Sequence, residues 1–134
     1  MKRSKAMKWI KNLLSGKFTQ AEGALMTSDD DSDPVVGHCC LGVLGRTYKI
    51  PKYKLLGTEL LDPTMQKLCG IASEDGQPRR PDGQLIGGSI KFRVKNPATG
   101  KRETQRFDSL AQANDKGISF KRIARWIEKN YKYL

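Results

Sequence analysis

The sequence has no long apolar run and holds few cysteines, histidines and aromatic residues. No stretch approaches the roughly 18 consecutive apolar residues of a membrane-spanning helix. No apolar segment follows the basic N-terminus, as one would in a secretory signal peptide. The 134 residues include three cysteines, one histidine and 7% aromatic residues. We therefore expect neither a membrane protein nor a secreted one, and we predict a cytoplasmic location.

The cysteines do not fit a disulfide framework or a zinc site. Cys39 and Cys40 are adjacent and Cys69 stands alone, whereas zinc sites use four ligands in paired spacings. We expect three reduced thiols that mainly pack in the core, and we predict neither a metal nor a cofactor. Because His38 precedes the two adjacent thiols, a small Cys/His-dependent hydrolase remains an alternative.

Acidic residues are outnumbered and locally concentrated. The chain has 25 Lys and Arg against 14 Asp and Glu, a formal net charge of +11. The run 28–34 resembles a calcium loop only superficially, because an EF-hand counted from Asp29 needs a Gly and a Glu where Pro34 and Cys40 stand. We predict a mobile acidic loop over 27–36.

Basic residues gather in two stretches. Residues 1–17 hold six bases and no acid, and residues 90–107 hold six bases and one acid. Positive fields of this kind attract phosphate-rich or acidic partners and speed their encounter. A solvated surface without a partner is the alternative interpretation of such charge runs.

Periodicity and capping residues predict one α+β domain over 1–134, with three or four short helices packed on a β-hairpin or small antiparallel sheet. The predicted helices cover 4–14, about 39–46, 63–69 between Asp62 and Gly70, and the segment after Ser119. The composition of 72–89 predicts a flexible loop.

The apolar faces of three of these helices follow from residue spacing. The predicted faces are Met7, Ile10, Leu13 and Leu14 in the first helix, Met65, Leu68 and Cys69 in the third, and Phe120, Ile123, Ala124, Ile127 and Tyr131 in the last.

Residues 89–107 predict a β-hairpin with its turn at 96–100, because apolar and basic residues alternate from residue 90 to residue 95. The alternation places the bases on one face, which Glu103 joins in some registers. An edge ribbon that lysines protect from aggregation is an equally weighted alternative. The predicted binding residues are Lys91, Arg93, Lys95, Arg102 and Arg106 on the hairpin and Arg122, Arg125 and Lys129 on the last helix.

Three stretches carry a resemblance to a known family. They are Trp9 with 14–20, Gly23 and Leu25, the Cys-Cys-Leu-Gly-Val-Leu run at 39–44, and 114–120 with 123–124 and 126–128. In these stretches the chain resembles a family of small proteins encoded mainly by phages and prophages. The resemblance covers both ends of the chain and thins out between about residues 50 and 110. The family has no settled activity, so the resemblance implies no catalytic residue.

The resemblance implies a small accessory protein of phage origin that works in the host cytoplasm. Together with the basic surface, it predicts a non-enzymatic protein that binds a phosphate-rich or acidic host target. An anti-defence inhibitor, either anti-CRISPR-like or a sponge for a nucleotide signal, is its sharpest form. The expected partner is a host defence protein, a nucleotide signal or nucleic acid. A nucleic-acid-binding phage protein is an alternative, and the oligomeric state is open, a homodimer included.

Overall fold

The computed structural model describes residues 1–28 and 35–134. Within these ranges the chain forms six α-helices, a 3₁₀ turn and two two-stranded antiparallel sheets, which confirms the α+β class. The helices are α1 (Arg3–Leu14), α2 (Cys40–Thr47), α3 (Lys52–Leu55), α4 (Pro63–Cys69), α5 (Leu110–Asp115) and α6 (Phe120–Asn130), followed by the 3₁₀ turn Tyr131–Tyr133. The strands are β1 (Met26–Ser28), β2 (Val35–His38), β3 (Ile90–Lys95) and β4 (Arg102–Phe107).

The four predicted helices are α1, α2, α4 and α6, and side-chain caps explain where α4 and α6 begin. The Asp62 carboxylate accepts a hydrogen bond from the Met65 N–H at 2.8 Å, and Gly70 ends α4 with a φ of +73°. The Ser119 hydroxyl accepts from the Arg122 N–H at the start of α6. Helices α3 and α5 were not predicted, because four and six residues are too short to show a helical period.

The buried face of α1 differs from the predicted one. Ala6, Trp9, Ile10 and Leu13 are buried, whereas Met7 is 37% exposed and Leu14 is 55% exposed. The indole N–H of Trp9 donates to the Cys40 carbonyl at 2.8 Å. Because this bond draws the indole inward, the helix is rotated away from the face that its aliphatic side chains alone indicate.

Two further residues that were predicted to lie in the core are not fully buried. Leu68 of α4 is 49% exposed, while Met65 and Cys69 of the same helix are buried. Tyr131 lies in the 3₁₀ turn after α6 and is half-buried, while the other four predicted positions of α6 are buried.

Helix α2 lies at the centre of the core, and α1, α5, α3, α4 and β2 pack around it. Its residues from Cys40 to Gly45 are all buried. The backbone of Leu25 approaches the helix so closely that a Cβ on Gly42 would lie 1.7 Å from the Leu25 oxygen. The same oxygen accepts a hydrogen bond from the Cys39 N–H at 3.1 Å. A glycine at position 42 is therefore required by packing.

A buried amide joins three stretches that are far apart in the sequence. The Asn114 side chain is fully buried. Its oxygen accepts from the Cys40 N–H at 3.1 Å and from the Gln20 amide at 3.0 Å, and its nitrogen donates to the Ala21 carbonyl at 2.8 Å. The Gln20 oxygen in turn accepts from the Phe120 N–H at the start of α6. This network satisfies the first N–H groups of two helices.

The two predicted loops have different outcomes. Residues 29–34 of the acidic segment lie outside the described residues, and the two ends of that segment belong to β1 and β2, which pair with each other. The 72–89 segment contains no helix or strand beyond a bridge between Arg79 and Leu85. Its backbone bonds to other elements, including the Arg79 N–H to the Tyr133 carbonyl and the Leu110 N–H to the Gly76 carbonyl. Its predicted flexibility stays a prediction.

None of the helices in the described part of the chain has the length and apolar character needed to cross a membrane.

We expect Gly42→Ala to destabilise the protein by at least about 3 kcal/mol, because the new methyl group meets a backbone oxygen that cannot move alone. Gly45→Ala is the matched control, since its nearest neighbours at 3.0 and 3.1 Å are the ends of the Leu55 side chain. Its cost should stay below about 1 kcal/mol. Urea unfolding of both variants measures the difference, and equal stabilities would contradict the packing argument.

We expect Asn114→Ala to cost about 3 kcal/mol or more, because it leaves the buried Cys40 N–H without its partner and breaks the bond to Ala21. Lys116→Ala, a change at an exposed position two residues further on, should stay within about 0.5 kcal/mol. Denaturant unfolding of both variants tests this expectation, and a similar small effect in both would show that the amide network adds little.

Candidate functional site

The register of the β3–β4 hairpin decides which side chains share a face. Lys91 lies opposite Arg106, Arg93 opposite Thr104, and Lys95 opposite Arg102. Because directly opposed residues point to the same side of a sheet, these six side chains form one surface, which we call the basic face. All six residues are exposed. The structure therefore brings together all five binding residues predicted on the hairpin.

The hairpin's one acidic residue lies on the other side. Glu103 is paired with Val94, and its carboxylate accepts a hydrogen bond from the Asn96 amide at 3.0 Å. The basic face therefore carries five positive charges and no negative one. Strand alternation alone left the position of Glu103 open. The length of the turn between β3 and β4 fixes the side on which Glu103 lies, because six residues separate the directly opposed Lys95 and Arg102.

The opposite side of the hairpin fixes it to the core. Ile90, Phe92 and Phe107 are buried, and the rings of Phe92 and Phe107 lie 6.0 Å apart in a tilted arrangement. At the base of the hairpin the Asp108 carboxylate accepts from the Gly88 N–H at 2.8 Å. The hairpin is thus held on one side by apolar contacts, which leaves the basic face open to solvent.

Arg122 has a structural position that the sequence did not indicate. Its guanidinium lies 5.3 Å from the centre of the Phe92 ring and donates a hydrogen bond to the Arg93 carbonyl. Arg122 is half-buried, whereas the other predicted binding residues are exposed. It therefore joins α6 to β3 from the apolar side of the hairpin, and we assign it a positioning role instead of a place on the basic face.

Arg125 and Lys129 are exposed on α6. They follow Arg122 by three and seven residues, a spacing that keeps all three on one side of a helix. This second set of bases begins where α6 meets the hairpin and continues along α6, apart from the basic face.

The structure adds basic positions that the sequence analysis missed. A recess of about 470 Å³ is lined by Met1, Lys2, Lys5, Lys67 and Gly70. One of its bases is already engaged, since the Lys5 ammonium donates to the Leu68 carbonyl at 2.6 Å and lies 4.8 Å from the centre of the Tyr48 ring. The sequence indicated this region only through the excess of bases in residues 1–17. It could not show that Lys67, which is distant in the sequence, lies beside them.

The three thiols are placed as core residues. Cys39, Cys40 and Cys69 are free and buried. Burial raises the pKa of Cys39 to about 11 and that of Cys69 to about 11, and it raises the pKa of Cys40 well above its usual value. The Cys39 sulfur accepts from the Gly42 N–H at the start of α2. At neutral pH these thiols are protonated, which disfavours a nucleophilic role.

The side chains of His38 and Asp115 also make structural contacts. The His38 ring lies edge-on to Phe18 at 4.9 Å, and its pKa is lowered, first by burial and then by the charges of Arg46 and Lys52. Asp115 accepts from the Gly23 N–H at 3.0 Å. Within residues 1–28 and 35–134, no three His, Cys, Asp or Glu side chains are grouped as a metal ion would require.

We expect the three thiols to react slowly with iodoacetamide in the native protein at pH 8, because a pKa of about 11 leaves about one thiol in a thousand ionised at Cys39 and Cys69. Labelling should be at least about 100-fold faster in the urea-unfolded chain, where the thiols regain an ordinary pKa. Mass spectrometry of timed samples measures both rates. Rapid native labelling of Cys39 or Cys40 would instead favour the hydrolase alternative.

Comparison with known proteins places the chain in a family without giving it an activity. No curated protein and no solved structure is significantly similar to it. One family model matches residues 1–131, nearly the whole chain. The protein therefore belongs to the family DUF8296, which is described as a domain of unknown function.

Proposed function

We propose that this protein is a non-enzymatic binding protein and that the basic face of the β3–β4 hairpin holds a phosphate-rich or acidic target. The observation that carries the proposal is the register, which places Lys91, Arg93, Lys95, Arg102 and Arg106 on one exposed surface. Such a surface attracts polyanions at long range and pairs with them on contact.

The arrangement of charges favours binding over simple protection of a strand edge. Lys91 faces Arg106 and Lys95 faces Arg102 directly, and like charges at directly opposed positions destabilise a hairpin by up to about 1 kcal/mol. Mixed charges would keep the strands soluble without this repulsion. An anionic partner neutralises these charges. The repulsion between the opposed bases is then absent from the complex.

The setting of this binding function rests on the resemblance to phage and prophage proteins described above. We propose a host target in the host cytoplasm, with an anti-defence inhibitor, anti-CRISPR-like or acting as a sponge for a nucleotide signal, as the specific form. A nucleic-acid-binding phage protein is the second candidate. The shape of the hairpin favours it, because a two-stranded ribbon is narrow enough to enter a groove of a nucleic-acid duplex. The buried, protonated thiols count against the Cys/His-dependent hydrolase.

We expect the triple variant Lys91→Glu, Arg93→Glu, Lys95→Glu to lose binding to inorganic polyphosphate by at least about 100-fold, because it reverses most of the charge on the basic face. The variant should remain folded with an equal or higher Tm, since two repulsive cross-strand pairs become attractive. Fluorescence competition and thermal unfolding measure the two effects.

The matched control is Lys8→Glu, Lys11→Glu, Lys17→Glu, which changes the net charge equally at exposed positions in the N-terminal stretch. It should keep polyphosphate affinity within about threefold at moderate salt, where distant charges are screened. Retained affinity in the folded hairpin variant, or an equal loss in the control, would show that the basic face is not the binding surface.

A further inference from the structure

We propose that the target of the basic face is a DNA duplex and that the β3–β4 hairpin lies in its major groove. This inference rests on the second candidate of the proposed function, a nucleic-acid-binding protein, because it names the nucleic acid that the same surface binds.

The composition of the basic face favours a duplex over a single strand. Its six positions hold two Lys, three Arg and one Thr. The two aromatic rings of the hairpin, Phe92 and Phe107, are buried on the other side. Proteins that hold single-stranded nucleic acid stack the bases on exposed aromatic rings. The basic face has no such ring and suits a ligand whose bases are already stacked.

The same composition is unlike the centre of a protein interface. Such centres are rich in aromatic side chains and Met and depleted in Lys and other charged residues, Arg excepted. The basic face has no apolar side chain at any of its six positions. An acidic protein would therefore find no apolar side chain on this face to bury at the centre of an interface. A nucleic acid, in contrast, would pair its phosphates with the Lys and Arg side chains of the face.

The dimensions of the hairpin fit the major groove of B-form DNA. Two strands about 5 Å apart make a ribbon that the groove, about 12 Å wide, admits. Strands of six residues extend about 20 Å, which corresponds to about six base pairs. The deep and narrow major groove of an RNA duplex excludes such a ribbon. The hairpin pairs with no other strand in the described part of the chain, so no third strand widens the ribbon beyond what the groove admits.

The side chains of the basic face match the chemistry of the groove floor. A guanidinium donates two hydrogen bonds to the O6 and N7 of guanine, lysine donates to the same atoms, and threonine contacts either type of base pair. Arg93, Arg102 and Arg106 supply three guanidinium groups on one surface. Helix α6 supports the hairpin from the other side through the contact of Arg122 with Phe92 and the Arg93 carbonyl. We therefore expect a preference for G·C-rich duplexes.

The test uses the full chain and fluorescein-labelled, G·C-rich DNA of about 14 base pairs, which covers the expected footprint with flanks. Anisotropy titrations compare this duplex with its single strand, with the RNA duplex of the same sequence, and with two modified duplexes. One replaces guanine by 7-deazaguanine, which removes the N7 acceptor of the major groove. The other replaces it by inosine, which removes the amino group of the minor groove.

We expect the DNA duplex to bind at least about tenfold more tightly than the single strand or the RNA duplex. The 7-deazaguanine duplex should bind about tenfold more weakly, and the inosine duplex within about threefold of the unmodified one. The variant Arg93→Lys, Arg102→Lys, Arg106→Lys keeps the charge without the planar fork. It should lose about tenfold on the G·C duplex, a larger loss than on the 7-deazaguanine duplex, which already lacks one of the two acceptors of the fork.

Equal binding of duplex and single strand, insensitivity to 7-deazaguanine, or a larger effect of inosine would each overturn the major-groove assignment. Polyphosphate binding that depends on the basic face would leave the proposed function standing in those cases. Absence of binding to both polyphosphate and DNA would overturn the proposed function and this inference together.

Discussion

The structure depends on a single buried amide that satisfies hydrogen-bonding groups from distant parts of the chain. Asn114 is 74 residues from the Cys40 N–H and 94 residues from the Gln20 amide that bond to it. Buried peptide groups without such partners would each cost about 1–3 kcal/mol. Three stretches that are far apart in the sequence, which contain Gln20, Cys40 and Asn114, therefore converge on one structural network.

Local patterns predicted the elements whose signals are contained in a few neighbouring residues. The caps Asp62 and Ser119, the glycine after α4 and the alternation in β3 all act over one or two turns, and each element was found where it was expected. Helices α3 and α5 escaped prediction because their short length leaves no period to detect. The orientation of α1 depends on the Trp9 bond to Cys40, a partner 31 residues away, so no local pattern contains it.

The candidate site was predictable to the extent that it follows strand geometry. Alternation placed Lys91, Arg93 and Lys95 together, and pairing in register added Arg102 and Arg106. Whether Glu103 neutralised the surface depended on the register, which strand alternation alone does not specify. The role of Arg122 lay beyond prediction, because spacing on a helix shows that a base is on a given side but not that it lies against a ring from another element.

The separation between the basic face and the core has an evolutionary consequence. The six side chains of that face are exposed, and the hairpin is fixed to the protein through its other side. Substitutions on the face therefore change the surface charge with little penalty in folding, whereas substitutions around Asn114 or Gly42 disturb the core. Under the proposed function, the choice of target can therefore change at six outward positions while the scaffold stays fixed.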